Sequence, residues 1–252
     1  PNQNLASAVL GFVGDDNQGL AGLESYYDET LTGVAGRVVA AKNAHGADMP
    51  FSYQIVEKAK QGNSLVLTID SYIQHVAEKY LEQAVEANKA SNRGACIVMN
   101  VNTGAVLGMA VKGDFNPNAP FVLSDADEAL LAEENTTVTR SDLLNKQWRN
   151  KAVSDSYEPG STFKSLVAAM ALEEGVVSLN EVFNCNGGLT VAGTHINCWK
   201  AGGHGSETFV QGVEGSCNPE FMTIGARVGA KNFYKYYKAF GFTETTGFDL
   251  PG

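Results

Sequence analysis

The chain has no apolar run approaching the ~20 residues a membrane-spanning helix needs, as its printed sequence makes plain. Its opening, Pro1-Asn2-Gln3-Asn4, has neither the basic region nor the apolar core of a signal peptide, and Pro1 is not expected to be a natural start. Positive charge is scarce. Lys and Arg number 18 against 28 Asp and Glu, a net charge of -10. That balance argues against sequence-independent nucleic-acid binding and against direct attraction to an anionic membrane surface. Four cysteines are too few for a disulfide scaffold. Repeats and low-complexity segments are missing too. What is present, 44% hydrophobic and 18% charged residues over 252 positions, reads as a globular ectodomain able to bury a sizeable core.

The most informative stretch runs from Tyr157 to Gly175. Pro159-Gly160 makes a turn, an Ala-rich apolar run follows, and Gly175 stops it, which predicts a helix from about Ser161 to a left-handed glycine cap. Ser161 and Lys164 share a face of its first turn. A hydroxyl there sits where backbone N–H dipoles favour developing negative charge. A lysine whose pKa is lowered by an apolar setting, as Phe163 and Leu166 suggest, can take that hydroxyl's proton. Nucleophile and base are therefore expected within hydrogen-bond reach. Ser161-Thr162-Phe163-Lys164 is the one Ser-x-x-Lys in the chain, and its place behind a Pro-Gly turn outweighs the bland reading of a plain N-cap and a solvated lysine.

Elsewhere the pattern is α+β, an antiparallel sheet with helices packed against it. Residues 1–62 are irregular, with an apolar run Leu5–Val13, and Val38–Ala40 and Tyr53–Val56 as short strands around Asn43-Ala44-His45-Gly46. Leu65–Ile69 reads as a buried strand, and Asp70 as N-cap of a helix whose apolar stripe includes Ile73, Ala77 and Leu81. Ala95–Val101 and Ala105–Val111 flank a glycine turn as a hairpin. Residues 112–150 form a polar surface excursion with some helix. Helices are expected at about Phe209–Val228, capped by Thr208, and Lys231–Phe240. Ser178 and Glu181 match a capping box.

Ser216-Cys217-Asn218 falls inside the predicted Phe209–Val228 helix, where serine and asparagine are poor formers. A serine beside the lysine can shuttle a proton to a leaving amine, and an asparagine can hold both the lysine and a substrate amide. Taken together, Ser161-Thr162-Phe163-Lys164 and Ser216-Cys217-Asn218 resemble the first two motifs of the penicillin-interacting serine transpeptidases, which carry a third, Lys-Thr-Gly. Gly22-Leu23-Glu24, Tyr27-Asp28 and Leu31-Thr32-Gly33 are similar to the end of the pedestal domain of class B penicillin-binding proteins. Gly62–Asp70 and the Gly104 hairpin resemble the start of their transpeptidase domain. The resemblance thus implies residues 1–62 as the end of a pedestal and 63–252 as the N-terminal part of an incomplete transpeptidase domain.

It further implies Ser161 as nucleophile on D-Ala-D-Ala stem peptides, Lys164 as general base, and Ser216 and Asn218 in proton transfer and substrate positioning. β-Lactams would acylate the same serine. Peptidoglycan stem peptides, β-lactams and a glycan-polymerising membrane partner are the implied partners, and the outer face of the cytoplasmic membrane is the implied location. No Lys-Thr-Gly or Lys-Ser-Gly occurs in the 252 residues. Lys200-Ala201-Gly202 lies on the wrong side of Ser216, so the third motif is expected beyond Gly252. A β-lactamase-type hydrolase and a non-catalytic β-lactam sensor or scaffold are the alternatives.

Cys185, Cys198, His204 and Cys217 form a second constellation. Three thiolates and an imidazole suit a closed structural zinc site, and Gly187-Gly188, Gly193 and Gly202-Gly203 let the loop wrap an ion. Buried free thiols or one disulfide are the alternatives, and His195 is an alternative ligand to His204. Cys96, in the hairpin, reads as core. No cofactor is expected for catalysis itself.

Overall fold

The computed structural model describes residues 2–39, 55–90 and 94–251. The chain packs as two compact units, one from residues 1–155 with 249–252 and one from 156–248. The pedestal boundary near residue 62 is a division by family likeness, distinct from this division by packing.

In the first unit, short helices α1 (Ser7–Leu10), α2 (Gly22–Tyr26) and α3 (Asp28–Leu31) precede β1 (Arg37–Val39) and β2 (Ile55–Glu57), an antiparallel pair. The two strands fall close to the expected ones, while the expected turn Asn43–Gly46 lies outside the described residues. The Leu5–Val13 run shrinks to one helical turn, because the chain turns away at Gly11 with φ +77°. Leu65–Ile69 is neither a strand nor buried: it joins no ladder, and Val66 is 97% exposed. Thr68 Oγ1 and the Asp70 amide instead donate to the carbonyls of Val106 and Leu107.

Helix α4 (Ser71–Ala87) starts as expected, with the Asp70 carboxylate accepting from the Tyr72 and Ile73 amides. β3 (Ala95–Met99) and β4 (Val106–Val111) form the expected antiparallel hairpin. Gln74 of α4 is 1% exposed and bonds both the amide and the carbonyl of Met109, at 2.7 and 2.8 Å. That amide satisfies the outer edge of β4 as a third strand would. α5 (Asp125–Leu131) and α6 (Arg140–Trp148) lie in the polar excursion, and α7 (Lys151–Ser154) follows it.

The second unit opens on a 3-10 turn, Gly160–Phe163, that runs directly into α8 (Lys164–Glu173) and ends near Gly175 at φ +64°. The predicted helix is therefore present, tightened in its first turn. β5 (Val182–Cys185) pairs with β8 (Gly205–Thr208), and β6 (Gly188–Val191) with β7 (Thr194–Asn197), both antiparallel. Among the described residues every ladder has two strands. Ser178–Glu181 is a turn into β5, not a helix cap. α9 (Phe209–Glu214) carries the expected Thr208 cap, a full capping box with Gln211. α10 (Asn218–Ala239) is broken by Gly229 at φ +72°, near the gap expected between two helices.

The core of this unit joins Val167, Met170 and Ala171 of α8 to Phe221, Ile224 and Val228 of α10. Met170, Ala171 and Ile224 are fully buried. Burial of side chains the size of Met170 and Ile224 stabilises by about 1.5–3 kcal/mol each, so the two motif-bearing helices are held together by a well-buried apolar surface. No helix among the described residues is long and apolar enough to cross a membrane.

Candidate active site

Ser161 lies in the 3-10 turn and is solvent-exposed. Behind it, Phe163 packs on Phe233, Tyr237 and Phe242, with ring centroids 5.8–6.4 Å apart. That aromatic cluster anchors the turn.

Lys164 Nζ reaches three acceptors: the Ser216 carbonyl at 2.8 Å, Ser216 Oγ at 3.1 Å and Asn218 Oδ1 at 2.6 Å. The Phe221 ring lies 5.6 Å away. Burial holds the lysine below the ordinary ammonium range, and the neighbouring Cys217 and Cys198 thiols oppose that only in part. A neutral amine can donate to the Ser216 carbonyl and Asn218 while accepting from the Ser216 hydroxyl, so the three contacts also suit the deprotonated state. The expected Ser161–Lys164 hydrogen bond is not formed, since the amine is committed to Ser216 and Asn218. Catalytic hydrogen bonds often close only when substrate is bound.

Ser216 is not mid-helix as its sequence context suggested. α9 ends at Glu214, and Ser216 takes φ +51° in the turn before α10. A left-handed serine is uncommon and strained. The Ser216 and Cys217 amides donate to the carbonyls of Val213 and Gly212, and Lys164 bonds the Ser216 carbonyl. These contacts fix the turn so that Oγ faces the lysine. Asn218, first residue of α10, also donates from Nδ2 to the Asn197 carbonyl at 3.1 Å. Trp199 Nε1 bonds the Gly215 carbonyl at 2.8 Å, a second tie between the β7 loop and the Ser216 turn.

Beneath this turn, Cys185, Cys198, His204 and Cys217 bring one ligating atom each within 4.8 Å of one another. The three cysteines are buried and all are free thiols. Burial alone would raise the Cys185 thiol, but the amides of His204 and Gly187, the His204 ring and the Cys217 thiol bring it down to about 6. Burial, then the hydrogen bond to Glu207, raises the Cys217 thiol. A thiolate fed by backbone amides and faced by an imidazole is the donor chemistry of a metal ligand. Gly203, at φ +84°, lies against the Cys185 carbonyl, where any Cβ would collide, so the loop closes only with glycine there. Three thiols and an imidazole this close together are a donor set that suits a closed structural metal site. His195 is not part of the cluster; it is exposed and its Nδ1 lies 3.1 Å from Thr190 Oγ1. Cys96 belongs to β3 of the other unit and is half-buried.

Two groups beside the cluster escaped sequence reasoning. Glu207, three residues after His204, is 6% exposed, and Glu220, two after Asn218, is 2% exposed. Burial, then the charges of Glu207, Cys185 and Glu181, pushes the Glu220 carboxyl up to about 8. The one available signal was His204-x-x-Glu207; Glu220 looked like an ordinary acid in a helix's first turn.

The site thus sets a serine on a tight helical turn one turn ahead of a half-buried lysine that is gripped by a second serine and an asparagine, on an α+β scaffold. Residues 94–252 match the family model described as the penicillin-binding protein transpeptidase domain. The chain belongs to that family, with relatives of the class B type. It is 40% identical over 253 residues to stage V sporulation protein D of Bacillus subtilis, covering 100% of this chain and 36% of that one. It is 31% identical over 189 residues to the peptidoglycan D,D-transpeptidase FtsI of Escherichia coli, covering 73% of this chain and 27% of that one. Crystal structures of penicillin-binding protein 3 from Mycobacterium tuberculosis, in apo form and complexed with aztreonam, superpose at TM-score 0.76. They are 29% identical and cover 100% of this chain and 48% of theirs. The chain therefore matches only 27–36% of the length of these curated relatives.

Proposed function

We propose that the full-length protein is a serine D,D-transpeptidase that cross-links peptidoglycan and is acylated by β-lactams. The observation that carries this is the Lys164 amine held by Ser216 Oγ and Asn218 Oδ1 at 3.1 and 2.6 Å, three residues after Ser161. On this reading the Ser161 hydroxyl gives its proton to Lys164 Nζ, and Oγ attacks the carbonyl carbon of the penultimate D-alanine. The tetrahedral adduct collapses with cleavage of the C–N bond. A proton delivered from Lys164 through Ser216 leaves with terminal D-alanine as the free amine. Asn218, tied to the Asn197 carbonyl, positions both the lysine and the peptide amide. An acceptor-strand amine then attacks the acyl-enzyme, restoring the Ser161 hydroxyl and forming the cross-link.

A β-lactam enters by the same attack on its ring amide. Cys185, Cys198, His204 and Cys217 would hold a structural zinc ion with no position open for chemistry. Because Cys217 is flanked by Ser216 and Asn218, the ion would brace the turn that aims both at Lys164. Work at the outer face of the cytoplasmic membrane, beside a glycan-polymerising partner, follows from the same reading.

The reading is tested by incubating the full-length protein with a D-Ala-D-Ala stem peptide and an acceptor amine. D-alanine release with formation of the cross-linked product is expected. Rapid nitrocefin hydrolysis would instead identify a β-lactamase, and penicillin acylation without peptide turnover would identify a sensor.

A further inference from the structure

Two carboxyl groups buried against the sulfur cluster are short of partners: Glu207 has the Cys217 thiol on one oxygen only, and Glu220 has none. Both oxygens of Glu220 and Oε1 of Glu207 are shut off from solvent and make no hydrogen bond. Glu207 Oε1 sits 3.8 Å from His204 Nδ1, too far for a hydrogen bond. Buried carboxyl groups without partners are costly and uncommon, so their persistence calls for something that satisfies them.

The placement is built rather than incidental. Glu207 is supplied by β8 and Glu220 by the first turn of α10, just after Cys217. Glu220 rests on the bare backbone of Gly212 in α9, where any Cβ would strike its carboxylate. One ligating atom from each of Glu207, Cys217 and Glu220 lies within 4.8 Å of the others.

We propose that Glu207, Glu220 and Cys217 form a second divalent-cation site, joined to the first by the Cys217 thiolate as a bridge. The inference rests on the zinc reading of the Cys185, Cys198, His204 and Cys217 cluster. Two oxygens and one sulfur are a donor set that zinc accepts, with water completing the shell.

Native mass spectrometry of the full-length protein, loaded with Zn²⁺ and dialysed, tests this by counting bound metal. Two zinc ions per chain are expected in the unaltered protein, and one in Glu220→Gln and in Glu207→Gln. A single ion that Cys198→Ser removes and Glu220→Gln spares would overturn the second site while leaving the first intact. A single ion with the opposite dependence would keep the carboxylate site and overturn the sulfur one. Protein that takes up no zinc would overturn both. Two ions surviving in both glutamine variants would also overturn the assignment, and the count in the unaltered protein stands whether or not a variant folds.

Discussion

Replacing Lys164 with alanine lowers the rate of penicillin acylation of the full-length protein by about 10²–10⁴-fold, the range that a positioned general base contributes. Lys164→Arg separates position from proton transfer. A guanidinium keeps the charge and much of the reach but does not deprotonate in a protein, so it should be nearly as slow as alanine. The pH dependence gives the sign. Burial lowers the Lys164 pKa, and only the neutral amine accepts the Ser161 proton. Acylation should therefore rise with pH through an inflection below the ordinary lysine range and then level off. In Lys164→Ala that inflection disappears. An arginine variant acylating at the native rate would mean that Lys164 serves as a charge and not as a base.

Stripping metal from the cluster should have the largest effect on stability. An ion bound only to the folded state, at about 1,000 times its Kd, adds about 4 kcal/mol. For a protein of this size each kcal/mol moves Tm by about 2–4 °C, so chelation or Cys198→Ser should lower Tm by about 8–16 °C. Acylation should slow in parallel, because Cys217 lies between the two side chains that grip Lys164. Differential scanning calorimetry with and without chelator checks the first effect, and stopped-flow acylation the second. An unchanged Tm after chelation would favour buried free thiols.

Much of this site was legible in the sequence because local chemistry and tertiary demand agree there. Pro159-Gly160 and Gly175 bracket the Ser161 helix, Asp70 caps α4, and the Gly104 hairpin pairs as its alternation requires. The spacing Cys185, Cys198, His204, Cys217 matched no common finger, yet the glycines that let the loop close marked the four as one cluster. The errors arose where tertiary contacts outvote periodicity. Apolar residues continue from Phe209 to Val228, and nothing in that pattern shows Ser216 turned left-handed by the Gly212 and Val213 carbonyls and by Lys164.

The Leu65–Ile69 run has the composition of a strand, but its contacts to β4 are single bonds from Thr68 and Asp70 rather than a ladder. The Ser161–Lys164 bond was expected from spacing on one helix. Spacing carries no information about rival acceptors 52 and 54 residues away in sequence. Glu207 and Glu220 stayed hidden for a related reason: acids on a strand and in a helix's first turn normally face water, and only the packing against Gly212 and Cys217 encloses them.

The most direct measurement is to acylate the full-length protein with a labelled penicillin, digest it and locate the adduct by mass spectrometry. The proposed mechanism predicts a single ester on Ser161 Oγ, absent from Ser161→Ala. Label on Ser216 or any other residue, or label persisting in Ser161→Ala, would contradict it.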